Sequence, residues 1–370
     1  MEKRIFLASP TMHGEERKYI QEAFDTNWIA PLGKHVDAFE QEVCAYLGCG
    51  HGLATNTGTA ALHLAVKLAG VKPGDVVFCS DMTFSATVNP VAYEGGCPVF
   101  IDSERDTWNM DPRALERAFD RYPHCRCVVA ANLYGTPAKL DELRAVCDAY
   151  GAVLIEDAAE SLGATYRGRQ TGTFGRYNAI SFNGNKIITT SGGGMLLSEE
   201  GAAVDKARFW SAQARDPAPW YQHSEIGYNY RMSNVVAGIG RGQLLHLEEH
   251  RQKKAEIYQT YGRELAGLPV RMNPYLPDSV PNFWLSCLTI DRDCAVTPER
   301  LRLALEAENI EARPIWKPMH LQPVFADCDF ITAGDNVGED IFARGLCLPS
   351  DIKNTPGDMA RIISVIKGLF

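Results

Sequence analysis

Residues 140–160 read LDELRAVCDAYGAVLIEDAAE. The first part, Leu140 to Tyr150, is an amphipathic helical pattern, and Gly151 stands in the C′ place where a helix turns left-handed and stops. The apolar run AVLI then ends in acids, which predicts a buried strand from Val153 to Asp157. A helix feeding a buried strand is one step of an α/β layer structure. The same alternation extends both ways. Val76 to Ser80, Val99 to Asp102, Val128 to Leu133, Ala179 to Asn183 and Gly194 to Ser198 also read as buried strands. Between two of them, Pro112 to Tyr122 reads as a helix with Asp111 as N-cap and proline at the first position. This pattern predicts a largely parallel sheet covered on both faces, with ligands beyond the carboxyl ends of its strands.

Further out, ARDPAPWYQHS around Arg215 to Ser224 is irregular. A long helical stretch follows from about Ser233, and its charged part, HLEEHRQKKAEIYQTY, reads as a connector. Beyond it the chain restarts, with Phe283 to Ile290 as a strand and Pro298 to Asn309 as a helix. We therefore expect a large α/β domain over residues 1–249, including the N-terminal segment, and a smaller α+β domain over residues 250–370. No internal repeat or low-complexity segment interrupts this plan.

The whole chain has 370 residues, 45% hydrophobic and 22% charged, with a net charge of −9 from 37 basic and 46 acidic residues. This excludes collagen-like, coiled-coil and broadly disordered chains. No Lys/Arg cluster works against the acidic balance, so no nucleic-acid partner is expected. No stretch approaches the ~20 apolar residues of a membrane span, and the apolar start is too short for a secretory segment. A cytoplasmic location is the expectation. The 11 cysteines, odd in number and mostly in apolar contexts, read as reduced packing residues.

Three places offer chemistry. Asn56-Thr57-Gly58-Thr59 opens a helical pattern, where free amides and two hydroxyls can meet an anion or simply cap the helix. Asp157 ends a strand, where a carboxylate can pair with a cationic ring nitrogen, bind a metal or cap the next segment. Lys186 follows the strand end and turn SFNGN and precedes the stretch TTSGGG. A P-loop is excluded because GNGNK lacks the G-x-x-x-x-G-K-[ST] spacing. Taken together, the three supply what pyridoxal phosphate needs: a phosphate cradle, a partner for the pyridine nitrogen and an amine for the Schiff base.

In order along the chain, GTAAL, IEDAAES, SFNGNK with TTSGGGM, and GYNYRMS resemble the DegT/DnrJ/StrS family of sugar aminotransferases. The resemblance runs from ASPTMHGEE near the start to RPIWKPMH and LCLPS near the end. It implies a fold type I pyridoxal-phosphate transferase, like aspartate aminotransferase, with a smaller C-terminal α+β domain. By position, Lys186 matches the Schiff-base lysine and Asp157 the pyridine-nitrogen partner. Glu160 falls near the ring hydroxyl, Phe84 where a residue stacks on the ring, and Thr57, Gly58, Thr59 and Ser181 at the phosphate. Asn229 matches a residue that the family delivers across a dimer interface, which implies a homodimer with shared sites. Many members carry S-F-H-x-x-K, and Asn183 here stands where they have histidine. That departure resembles the bacillosamine-type subgroup, which aminates UDP-linked 4-keto-6-deoxy-N-acetylhexosamine with L-glutamate as donor.

By the same resemblance, NWIAPLG with Pro31 and Leu32, and RPIWKPMH with Trp316, Lys317 and His320, are the expected sugar-nucleotide contacts. Arg231 is a further candidate, for diphosphate or for the donor carboxylate. The runner-up substrates are dTDP- and GDP-linked keto sugars, and a non-catalytic regulator on the same fold is the alternative from another class. No metal is expected: Cys44, Cys49 and His51, and His124, Cys125 and Cys127, lack paired C-x-x-C spacing. A hydrolase has no G-x-S-x-G elbow to rest on.

Overall fold

The computed structural model describes residues 3–370. An eight-stranded sheet forms its centre, in the spatial order His51–Thr55, Gly194–Ser198, Tyr177–Ser181, Val153–Asp157, Cys127–Ala131, Val76–Ser80, Cys97–Ile101, Phe330–Ile331. From Tyr177–Ser181 to Phe330–Ile331 all neighbours pair in parallel. Gly194–Ser198 alone runs against both of its neighbours. The reason lies in residues 182–193, which link it to Tyr177–Ser181 without a helix, and a parallel return needs a crossover. That reversing loop carries Lys186, so the turn that breaks the parallel rule also brings the lysine to the carboxyl edge of the sheet.

Both faces of the sheet are covered. On one side, helix Gly58–Leu68 buries Ala61, Leu62, Ala65 and Val66 against Leu53, Val77 and Leu196. On the other, helices Pro112–Arg121 and Leu140–Tyr150 bury Leu115, Phe119, Leu140 and Leu143 against Phe78, Val128 and Leu154. Gly151 has φ 65° and closes its helix in the left-handed conformation that glycine adopts without strain. The expected strands at Val153–Asp157, Val76–Ser80 and Gly194–Ser198 agree to the residue, while Tyr177–Ser181 lies two residues before its expected place. Helices Glu15–Asp25 and Lys34–Leu47 had no counterpart in the sequence reading. The stretch from Ser233 is two helices, Asn234–Leu244 and Leu247–Glu264, not one.

A second, four-stranded antiparallel sheet has the order Val270–Met272, Ser286–Ile290, Gly345–Leu348, Arg313–Pro314. Helices Pro298–Ala307 and Pro356–Lys367 cover it over a core of Leu288, Leu301, Leu305, Leu346 and Ile362. Contacts cross position 250 in both directions. Phe330–Ile331 pairs with Phe100 and Ile101 at the edge of the large sheet. The N-terminal segment packs the other way, with Ile5 bridging Ile310 and Leu7 accepting a bond from the Ser350 amide. Such short pairings lie below what periodicity detects. Among the described residues no helix is long and apolar enough to cross a membrane.

Candidate active site

A cavity of about 300 Å³ opens at the carboxyl edge of the large sheet. It is lined by Thr57, Gly58 and Thr59 from the helix start, Asp157 and Ser181 from strand ends, and Lys186 from the reversing loop. Phe84, Glu160, Asn183 and Trp316 complete the set of sequence candidates found there.

The helix start is built for close approach. Thr57 caps the helix by accepting the Ala60 amide at 3.0 Å, and the amides of Gly58 and Thr59 precede the first intrahelical bond. A Cβ on Gly58 would stand 2.9 Å from the Ser181 Cβ, so only glycine leaves both the amide and the hydroxyl room to face one anion.

Strand alternation sends two neighbouring acids to opposite sides. Glu156 accepts bonds from Asn132 Nδ2 and the amides of Gly172 and Phe174, which fastens a loop under the sheet. Asp157 faces the cavity. Thr87 Oγ1 donates to its Oδ2 at 2.7 Å and the Ala159 amide to its Oδ1 at 3.0 Å. Burial pushes the Asp157 carboxyl above its ordinary value, while those donors and the charge of Lys186 oppose the rise. A cation inside the cavity would be its natural partner.

Lys186 lies between an acid and an aromatic wall. Its Nζ is 3.7 Å from Glu160 Oε1 and 4.1 Å from the centre of the Trp284 ring. Burial also raises the Glu160 carboxyl, against the charge of Lys186 and the Tyr134 amide that donates to Oε2 at 2.7 Å. Trp284 donates Nε1–H to the Asn185 carbonyl at 2.7 Å, so it clamps the peptide that bears the lysine. Tyr134 stacks between Trp284 and Trp316, and its hydroxyl accepts the Trp316 amide at 2.8 Å. Lys254, fully buried, holds the Trp284 carbonyl at 2.9 Å. Trp284, Thr87 and Tyr134 escaped sequence reading: each is an ordinary core residue by pattern, and only folding aims it at Asp157, Glu160 or Lys186.

The remaining candidates stand outside the cavity. Asn229 is exposed, although its carbonyl accepts Asn56 Nδ2 at 3.0 Å beside the helix start. Arg231 lies in a separate recess with Arg208, Asp37 and Glu40, where burial and then Arg208 lower its pKa. Pro31 and Leu32 are exposed on a loop held by Trp28 Nε1–H to the Leu32 carbonyl. Lys317 is exposed. His320 contacts Asp81 through Nδ1 at 2.8 Å and Glu339 through Nε2 at 3.1 Å, so both ring nitrogens are engaged away from the cavity. Burial works against its charge, but the two carboxylates outweigh it and hold the imidazole above its ordinary value. With the Met319 amide on the Asp81 carbonyl, this contact anchors the segment that presents Trp316.

A lysine, a strand-end carboxylate and an anion-ready helix start line one cavity, and groups of these kinds could hold pyridoxal phosphate. Residues 10–367 match the model of the DegT/DnrJ/EryC1/StrS aminotransferase family. The chain belongs to this family. It is a pyridoxal phosphate-dependent sugar aminotransferase with the fold type I architecture of that group. The enzyme is 52% identical over 377 residues to EpsN of Bacillus subtilis (strain 168), provisionally assigned as a pyridoxal phosphate-dependent aminotransferase, covering 100% of this chain and 97% of that one. It is 35% identical to a GDP-perosamine synthase of Caulobacter vibrioides, covering 98% and 97%. A DegT DnrJ EryC1 StrS aminotransferase from Brucella abortus superimposes with a TM-score of 0.89 at 27% identity, over 96% and 95% of the two chains.

Proposed function

We propose that this aminotransferase moves the amino group of L-glutamate to the C4 ketone of a nucleotide-linked 4-keto-6-deoxy sugar, UDP-4-keto-6-deoxy-N-acetylglucosamine in the first instance. Pyridoxal phosphate supplies an electron sink for the carbon that gives up or gains the proton. The residues of the chain do the rest. The helix start at Thr57–Thr59 and Ser181 would hold the phosphate, and the Asp157 carboxylate the ring nitrogen. Lys186 Nζ, confined between Glu160 and Trp284, would carry the proton between the two carbons as a positioned acid and base. The aromatic wall of Tyr134, Trp284 and Trp316 keeps water from the amine. The observation that supports this reading best is that Lys186, Asp157 and the Gly58 cradle line one cavity of about 300 Å³.

Two parts of the reading rest on the resemblance of GYNYRMS and NGNKIITTSGGGM. The first is a cytoplasmic homodimer in which Asn229 completes the partner's phosphate site, with the exposed Pro31, Leu32 and Lys317 and the half-buried Arg231 near the sugar nucleotide. The second is the UDP substrate. A GDP-linked 4-keto sugar is the rival, favoured by the similarity to GDP-perosamine synthases. Glutamate-dependent amination assayed by mass spectrometry over UDP-, GDP- and dTDP-linked keto sugars decides between them. Amination of the UDP sugar with the highest kcat/KM supports the reading, and preference for a GDP sugar replaces it. Failure on every keto sugar with a fully loaded enzyme refutes both.

A further inference from the structure

Behind the Lys186 loop, His13, His246 and His250 meet among the carboxylates of Glu15 and Glu249, and the established chemistry uses none of them. We propose that His13, His246 and Glu249 form a site for a divalent transition metal of the zinc class, which ties the N-terminal segment to the helix Leu247–Glu264. One donor atom from each of the three lies within 4.8 Å of the others. Two imidazoles and a carboxylate with a fourth position open are a donor set that zinc accepts.

Hydrogen bonding decides which ring nitrogens are available. Nδ1 of His250 stands 2.7 Å from the Ile187 carbonyl, which only accepts, so a proton is there. Nε2 of His250 is then the acceptor for Nε2–H of His13 at 2.7 Å. These bonds engage Nε2 of His13 and leave its Nδ1 outside them. On His246, Nε2 faces Glu15 at 3.1 Å and Nδ1 faces Glu249 Oε2 at 3.3 Å. A nitrogen and a carboxylate oxygen at that distance are joined either by a hydrogen on the nitrogen or by a metal. About 3.3 Å is also the donor–donor edge of a tetrahedron with metal bonds of about 2.0–2.1 Å.

Each histidine has an outer partner of the kind that metal-bound imidazoles use: Glu15 for His246, and His250 leading to the Ile187 carbonyl for His13. Lys253, 2.6 Å from Glu249 Oε1, is the competing cation. The rings of His13 and His246 lie parallel, 3.7 Å apart with 7° between their planes, so their lone pairs do not converge. Filling the site therefore turns one ring. His246, at the start of its helix and 22% exposed, is the one with room to turn.

The test uses the full-length holoenzyme freed of metal by chelation and titrated with Co²⁺, then with competing Zn²⁺. One Co²⁺ per chain is expected, with the visible bands of nitrogen and oxygen ligation. His13→Ala, His246→Ala and Glu249→Gln should each weaken binding about tenfold or more. Zn²⁺ should raise the Tm of the parent enzyme and not that of the variants. Glu249 is exposed, so Glu249→Gln keeps the test open if a histidine variant does not fold. Unchanged affinity in Glu249→Gln and in a folded histidine variant overturns the proposal. So do thiolate charge-transfer bands, or no binding at micromolar metal.

Discussion

Asp157 has both carboxylate oxygens engaged by donors of the chain, Thr87 Oγ1 and the Ala159 amide, while its open side faces the cavity. Asparagine has the same shape but no charge. We expect Asp157→Asn to keep the fold and the bound cofactor's absorbance while kcat falls on the order of 10²–10³-fold, the usual loss when charge stabilisation is removed from a reacting centre. Near-normal turnover by steady-state kinetics would remove Asp157 from that role. At this scale the sequence was informative where chemistry is rare. An acid at a strand end and a lysine after a glycine turn were legible as Asp157 and Lys186. Thr87 and Trp284 were not, because a threonine in DMTFSAT and a tryptophan in NFWLS have nothing unusual in type or spacing. Their significance comes from which atoms folding brings to within 3 Å of them.

Among the elements, the start of helix Gly58–Leu68 and the middle of helix Leu247–Glu264 invite quantitative tests. Gly58→Ala puts a methyl 2.9 Å from the Ser181 Cβ. Its helical backbone accepts alanine, but the clash forces Ser181 to shift, so we expect a Tm lowered by a few degrees and at least about tenfold weaker cofactor retention, measured by equilibrium dialysis, from the crowding and lost hydrogen bonding at the anion. Lys254, inside helix Leu247–Glu264, donates to the carbonyls of Trp284 and Ser350, yet burial lowers its pKa to about 8 from 10.5. The unfolded chain therefore binds more protons at this position between about pH 8 and 10.5. The cost of burying the charge is full below pH 8 and fades as pH rises through that window. Relative to Lys254→Met, the unfolding free energy of the parent should rise with pH across the window in denaturant melts, and parallel pH profiles would refute the assignment. Element types were readable wherever period and caps agreed, as at Leu140–Tyr150 and Pro112–Arg121. The reversed direction of Gly194–Ser198 was not, since a buried strand has the same apolar run whichever way it points.

For the whole molecule, the site as folded in one chain leaves Asn229 exposed beside the helix start, and the proposed dimer gives it a function. Mixing Asn229→Ala with Lys186→Ala should then form hybrid dimers in which one of two sites is intact, recovering up to about a quarter of parent activity if subunits exchange randomly. No recovery in a mixture shown by native mass spectrometry to contain hybrids would count against shared sites. The sequence by itself determined the α/β class and the family, and it singled out Lys186 and Asp157 for the roles proposed here. Those properties rest on local periodicity and on residue types that cannot be exchanged. Tertiary structure alone decided that Trp284, far along the chain, clamps the lysine loop, that His320 anchors a segment by way of Asp81, and that His13 meets His246 and His250. Each of these joins residues far apart in the chain, and a contact of that kind leaves no local trace, because its free energy is gained only after the intervening chain has folded.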